Sequence, residues 1–211
     1  LIPQYVKLLC EEIKQTGEIA KYLNLKLLTV YIGGGTPTTL SAEQLTEVMK
    51  AVRDNFCLDY LLEYTVEAGR PDTITEDKLI AIKQGGATRI SINPQTMNDS
   101  VLKAIGRRHT VNETVDAFNL ARKVGFCNIN MDLIAGLSGD TVDSFKKSVL
   151  DIIKLSPENI TVHSLSMKRA SNLNKNSTVF DYDEGENASL MVDFAMDELI
   201  NASILPYYMY R

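Results

Sequence analysis

Five apolar runs of strand length, at residues 27–32, 63–68, 88–92, 128–133 and 159–165, alternate with amphipathic stretches at 41–55, 77–84, 98–105, 112–124 and 141–155. This alternation confines the chain to βα units, because a helix between two strands returns the chain to the same end of the sheet and leaves the strands parallel. The helical period is explicit. Leu45, Val48, Met49 and Val52 recur at helical spacing in the first stretch, Val115, Phe118, Leu120 and Ala121 in the fourth, and Val142, Phe145, Val149, Ile152 and Ile153 in the fifth. Ser41 opens the first of these helices, Gly85-Gly86 and Gly125 close two others, and Pro157 blocks continuation of the fifth. Residues 1–21 supply a helix ahead of the first strand.

Strands of an open parallel sheet covered on both faces read as continuous apolar runs, whereas barrel strands alternate with residues that face a lumen. These strands are mixed. Tyr31, Glu67, Ser91, Asn93, Asn130, Asp132 and His163 fall within strands or at their ends, which suits a barrel or half-barrel holding a polar ligand. With 211 residues, 45% of them apolar, one α/β domain is expected over 1–167. Residues 168–211 read as a separate region. It comprises a mobile segment rich in Asn, Ser and Lys at 170–177, an acidic stretch at 181–186, a helix at 188–202, and an aromatic end, Tyr207-Tyr208-Met209-Tyr210-Arg211, that suggests a chain continuing further.

A net charge of -5 with both signs interspersed argues against a nucleic-acid or anionic-membrane binder. No apolar run approaches the ~20 residues of a bilayer span, and no signal-peptide pattern opens the sequence, so the expectation is a cytoplasmic protein. Cys10, Cys57 and Cys127 are too far apart for a zinc motif and odd in number for a disulfide framework.

Gly33-Gly34-Gly35-Thr36-Pro37 follows the first strand. Glycines there let a small molecule approach backbone N–H and C=O groups, although a tight strand-to-helix turn without a ligand accounts for them as well. Polar residues collect at other strand ends. Glu67 ends the second strand, Gln95 follows the third and Asp132 lies in the fourth, at the end of a (β/α) barrel where ligands bind. Arg107 and Arg108, in Gly106-Arg107-Arg108-His109-Thr110, are suited either to a ligand carboxylate or to the end of the preceding helix. His163 has no acidic residue three or four positions on and His109 has only Glu113, so neither histidine is read as part of a metal site. Nucleophile-elbow, Walker and dinucleotide fingerprints are absent.

The segments YIGGGTP, VEAGRPDT, RISINPQT with GRRHT, and NINMDLIAGL resemble, in order and spacing, the radical S-adenosylmethionine (SAM) family, and within it the oxygen-independent coproporphyrinogen III oxidase group. The resemblance spans residues 27–167, and the end PYYMYR is similar to the coproporphyrinogen dehydrogenase variant of that group. It implies a partial (β/α)6 TIM-like barrel, a parallel sheet with outer helices. Backbone groups of Gly33, Gly34, Gly35 and Thr36 would bind the amino and methionyl end of SAM, and Glu67 would lie near its amino group or ribose. Gln95 and Asp132 would contact the ribose, and Arg107 would pair with the carboxylate.

The family holds its [4Fe-4S] cluster on a CxxxCxxC loop after the first strand, which no pair of cysteines here reproduces. By resemblance, that strand and loop fall ahead of Leu1, so this chain carries no metal ligands and no catalytic residue and is expected to be inactive alone. For the intact protein the resemblance implies oxidative decarboxylation of porphyrinogen propionates to vinyl groups in haem biosynthesis, with an electron donor such as flavodoxin or ferredoxin. A haem chaperone of the same family is the first alternative. A non-catalytic α/β domain whose glycine turn is structural, or binds phosphate or carboxylate, is the second.

Overall fold

A computed structural model describes residues 1–165 and 182–208, with the side chains of 182–185 left out. The elements follow in the order α1 (Ile2–Tyr22), β1 (Thr29–Ile32), α2 (Ala42–Asn55), β2 (Glu63–Glu67), α3 (Glu76–Gln84), β3 (Arg89–Gln95), α4 (Asp99–Ala104), α5 (Val111–Val124), β4 (Ile129–Ala135), α6 (Val142–Leu155), β5 (Asn159–Ser164) and α7 (Tyr182–Asn201). The strands form one sheet in sequence order. Parallel registers run from Thr29↔Glu63 to Ile32↔Val66, from Thr65↔Arg89 to Glu67↔Ser91, and from Asn130↔Asn159 to Ala135↔Ser164. An order without reversal is the winding of a (β/α) barrel and not of a doubly wound sheet, whose strand order turns back on itself. The fold is α/β with a parallel five-stranded sheet and helices, as expected from the alternation, and a partial TIM-like barrel, as the family resemblance implies.

Two compact units share the chain. The first is Leu1–Asn93 with Glu113–Ile129, the second Pro94–Asn112 with Asn130–Arg211. In the first, Ser41 starts α2 through a capping box: its hydroxyl accepts from Gln44 N at 3.3 Å, and its own N–H donates to the Gln44 side chain at 3.0 Å. The anticipated stripe Leu45, Val48, Met49 and Val52 is buried, in a core that includes Tyr64, Val66, Leu79, Ile82, Ile90, Phe118 and Phe126. Strand alternation sends Tyr64 and Val66 to one face of β2 and Glu63, Thr65 and Glu67 to the other.

Tyr64 is fully buried, and its hydroxyl has no hydrogen-bond partner among the described residues. Burial pushes the phenol up to about 12, against a small opposing pull from the positive charge of Arg53. A buried hydroxyl without a partner costs desolvation and returns nothing, so Tyr64→Phe is expected to leave stability unchanged or raise it by up to about 1 kcal/mol. Chemical denaturation of the two chains checks this, and a clear loss of stability would reveal a partner for the hydroxyl.

In the second unit, Asn98 caps α4 by accepting from Ser100 N at 2.9 Å and Val101 N at 3.4 Å, and its amide donates to the Ser144 hydroxyl on α6 at 2.7 Å. Ser148 on α6 accepts from Met97 N at 3.0 Å. Both contacts fasten the segment after β3 to a helix that is anchored by buried Phe145, Val149 and Ile152.

Two boundaries differ from the sequence reading by more than two residues. β3 continues through Asn93 and Pro94 to Gln95, because a proline lacks only the N–H and its φ is compatible with an extended chain. α7 starts at Tyr182, inside the acidic stretch read as a boundary. The segment 170–177, read as mobile, and the terminal residues 209–211 lie outside the described residues. Among the described residues, no helix is long and apolar enough to cross a membrane.

Candidate ligand site at the strand ends

In the first unit, the turn Gly33-Gly34-Gly35 leaves the end of β1 exposed to solvent, and Thr36 leads into a single 3-10 turn, Pro37–Thr39. A second 3-10 turn, Pro71–Thr73, follows β2. The two turns are fastened together. The hydroxyls of Thr38, fully buried, and Thr73 are 2.6 Å apart, and Lys78 Nζ donates to Thr38 O at 2.7 Å and to Thr73 O at 3.1 Å. An ammonium shared by two carbonyls fixes both loops, so the glycines sit on a rigid support.

Glu67, at the end of β2, reaches the glycine turn. Its Oε1 accepts the Tyr31 hydroxyl at 2.5 Å, and a Cβ built on Gly33 would run into Tyr31 Cε1 and stand 2.9 Å from Glu67 Oε2. Only glycine leaves that pair in place. Gly34 needs the left-handed region, with φ 84°, while Gly35 has nothing within 4 Å of a Cβ position. The structure therefore brings Gly33, Tyr31 and Glu67 together and presents an open backbone beside a carboxylate, which suits a ligand ammonium. An adjoining recess of about 410 Å³ is walled by Leu9, Ile13, Leu45 and Val48 and reaches the glycine turn.

The second unit holds Gln95, Arg107 and Asp132. Gln95 is buried and takes φ 70° without being glycine, a costly backbone at the end of a strand and of the kind that marks functional sites. Arg107 is placed by the end of α4. Gly106, with φ 73°, donates to Lys103 O at 3.1 Å, and Arg107 N donates to Leu102 O at 2.9 Å, which makes a Schellman cap. Downstream, buried His109 meets Pro94 O through Nε2 at 3.3 Å, and Val111 N donates to Asp99 Oδ1 at 2.8 Å. His109 thus ties the loop carrying Arg107 to the β3 end carrying Gln95, a role the sequence does not announce. Arg107 is half-buried and Arg108 exposed.

Asp132 lies on β4. Its Oδ1 accepts from the Asn130 amide at 2.6 Å, and its Oδ2 stands 3.8 Å from His163 Nε2 on β5. Beside that carboxylate the His163 imidazole is held above its ordinary value, with burial opposing the effect. His163 was legible only as a polar strand residue, since its acidic neighbour comes from the adjacent strand and not from helical spacing.

For SAM, the residues present fit in kind: an open glycine backbone beside Glu67, a guanidinium on a rigid cap, and an amide and a carboxylate at strand ends. For an iron–sulfur cluster they do not. Burial and Glu47 hold the Cys10 thiol above its ordinary range, Cys57 and Cys127 are exposed, and no three His, Cys, Asp or Glu side chains converge among the described residues.

Comparison with known proteins gives the family. Residues 2–152 match the model of the radical SAM superfamily. The chain is 44% identical, over 95% of its length, to the oxygen-independent coproporphyrinogen-III oxidase-like protein HemZ of Bacillus subtilis, and 37% identical, over 79% of its length, to the heme chaperone HemW of Lactococcus lactis. It spans 40% and 42% of those two proteins, respectively, so it corresponds to well under half of either. The solved structure of coproporphyrinogen III oxidase HemN of Escherichia coli superposes with a TM-score of 0.80 at 25% identity, covering 95% of this chain and 46% of that one. With a family match over residues 2–152 and a sheet wound in barrel order, the chain belongs to the radical SAM superfamily.

Proposed function

We propose that this chain is the SAM-binding portion of a coproporphyrinogen III oxidase-like protein, which removes hydrogen and carbon dioxide from porphyrinogen propionates to leave vinyl groups in haem biosynthesis. The observation that carries the reading is the likeness to the HemZ protein along nearly the whole chain. SAM, once bound, supplies hydrogen-atom abstraction; the chain's own residues bind and orient it. Gly33, Gly34, Gly35 and Thr36 offer backbone groups to its amino and methionyl end, with Glu67 beside the ammonium. Arg107 takes the carboxylate, Asp132 accepts from the ribose hydroxyls, and the Gln95 amide accepts from or donates to them. The cluster ligands are assigned to the rest of the protein, as are the porphyrinogen pocket and the docking of an electron donor such as flavodoxin or ferredoxin.

A second reading, haem binding and transfer, is favoured by the HemW relatives, which align over more than three quarters of the chain. The two separate in one anaerobic assay of the full-length gene product, with reconstituted cluster, SAM, a reductant and coproporphyrinogen III, followed by mass spectrometry. The oxidase reading expects 5'-deoxyadenosine together with carbon dioxide lost from the porphyrinogen. Deoxyadenosine without decarboxylation, accompanied by stoichiometric haem binding, would overturn it in favour of the chaperone. No SAM cleavage at all would remove both.

A further inference from the structure

Parallel pairing of β4 with β5 sets Asn130 against Asn159, Asp132 against Thr161 and Ile134 against His163. By strand alternation Asn130, Asp132, Thr161 and His163 share one face. Their polar atoms connect in series. The Thr161 hydroxyl donates to Asn130 Oδ1 at 3.0 Å, the Asn130 amide donates to Asp132 Oδ1 at 2.6 Å, and His163 Nε2 stands 3.8 Å from Asp132 Oδ2. The arrangement orients as well as connects. Because Thr161 donates to the Asn130 oxygen, it fixes which end of that amide faces Asp132.

A carboxylate held at one oxygen still turns about its last torsion, whose energy wells are broad. Asp132 is hydrogen-bonded at one oxygen and faced at ion-pair distance by an imidazole on the next strand at the other, so a charged imidazole restrains that torsion and with it the direction of the remaining lone pairs. Asn130 is buried, whereas the side chains of Asp132 and His163 retain 18% and 35% of their accessibility. The anchored oxygen is therefore the inner one, and the side facing His163 is open to a ligand. The charged group facing His163 is Asp132, on β4. On its own strand face stand Thr161 and Asn159, neither of which titrates, and α7 packs against β5.

We infer that His163 is a positioning residue for the ligand at Asp132: its imidazolium holds the outer oxygen of the carboxylate so that the remaining lone pairs meet a ligand's hydroxyl donors, which makes ligand affinity depend on the protonation of His163. The inference rests on the proposed SAM site and adds to it a residue and a pH response. Asp132 holds the imidazole above its ordinary value. A raised value means that the charged pair is complete below the ordinary histidine range of about 6.5 and is lost as the pH climbs through the raised value, so affinity falls with rising pH.

The experiment is SAM titration by calorimetry on the full-length, cluster-loaded protein from about pH 6 to about pH 8.5, a range that brackets histidine ionisation. It compares wild type, His163→Gln, His163→Ala and Asp132→Asn, each checked for an unchanged melting temperature. Wild-type affinity is expected to fall about two- to fivefold across the range, as befits a part-exposed ion pair. His163→Gln flattens the profile near the wild-type high-pH value, and Asp132→Asn flattens it at a lower affinity. A His163→Gln profile that tracks wild type at every pH, with SAM still bound, overturns the role of His163 alone. Failure of wild type to bind SAM at any pH overturns the SAM site and this role with it.

Discussion

Replacing Arg107 by alanine in the full-length protein is expected to weaken SAM binding by roughly 10- to 150-fold, the loss of a charge-assisted contact of about 1.5–3 kcal/mol, while Arg108→Ala stays within about threefold. The two arginines are adjacent, equally charged and indistinguishable by composition. The cap separates them. Gly106 in the left-handed region and the bond from Arg107 N to Leu102 O fix the backbone at which the Arg107 side chain departs, and the side chain is half-buried where Arg108 is exposed. A guanidinium already confined loses less freedom on pairing with a carboxylate, so more of its interaction energy survives as affinity. Equilibrium titration with SAM reads the difference. Equal losses in the two variants would mean that the loop contributes only general positive charge, and an effect confined to Arg108 would reverse the assignment.

What the sequence made legible follows from the range of each interaction. The alternation of strand and helix, the stripe of α2 and the start of that helix at Ser41 depend on neighbours within a few residues, and all appear where expected. Gln44, which completes the Ser41 cap, is equally local. The polar strand residues Tyr31, Glu67, Ser91 and Asn93 occupy alternate positions on β1–β3, as Asn130, Asp132 and His163 do on β4–β5, because the period of a strand is itself a local property. Contacts between distant segments were not legible. Lys78 binding the Thr38 and Thr73 carbonyls, His109 against Pro94, and His163 beside Asp132 all join residues from different loops or strands, and nothing in their local sequence points to the partner. Nor was the left-handed backbone of Gln95, since such a conformation at a non-glycine residue is imposed by its surroundings.

The glycine turn offers the sharpest division between a ligand site and a plain turn. Gly35→Ala is expected to leave thermal stability within about 0.5 kcal/mol and to weaken SAM binding by about tenfold or more. In the protein itself Gly35 needs no special backbone, and a Cβ there meets nothing within 4 Å. A turn that serves only to connect β1 to α2 therefore has no use for glycine at this position. A ligand drawn against the peptide groups does, since a methyl would occupy the space through which it hydrogen-bonds the backbone. The neighbouring positions supply the contrast. Gly34→Ala forces a side chain into φ 84° and should cost about 1–2 kcal/mol of stability whether or not anything binds. Gly33→Ala displaces the Tyr31–Glu67 pair, which lies at the ends of flexible side chains, so its effect on stability should be small and its effect on affinity large. Calorimetric titration with SAM beside thermal melting resolves all three. If Gly35→Ala binds SAM as tightly as the parent protein, the exposed backbone is not the cradle, and the glycines revert to a structural role in the turn.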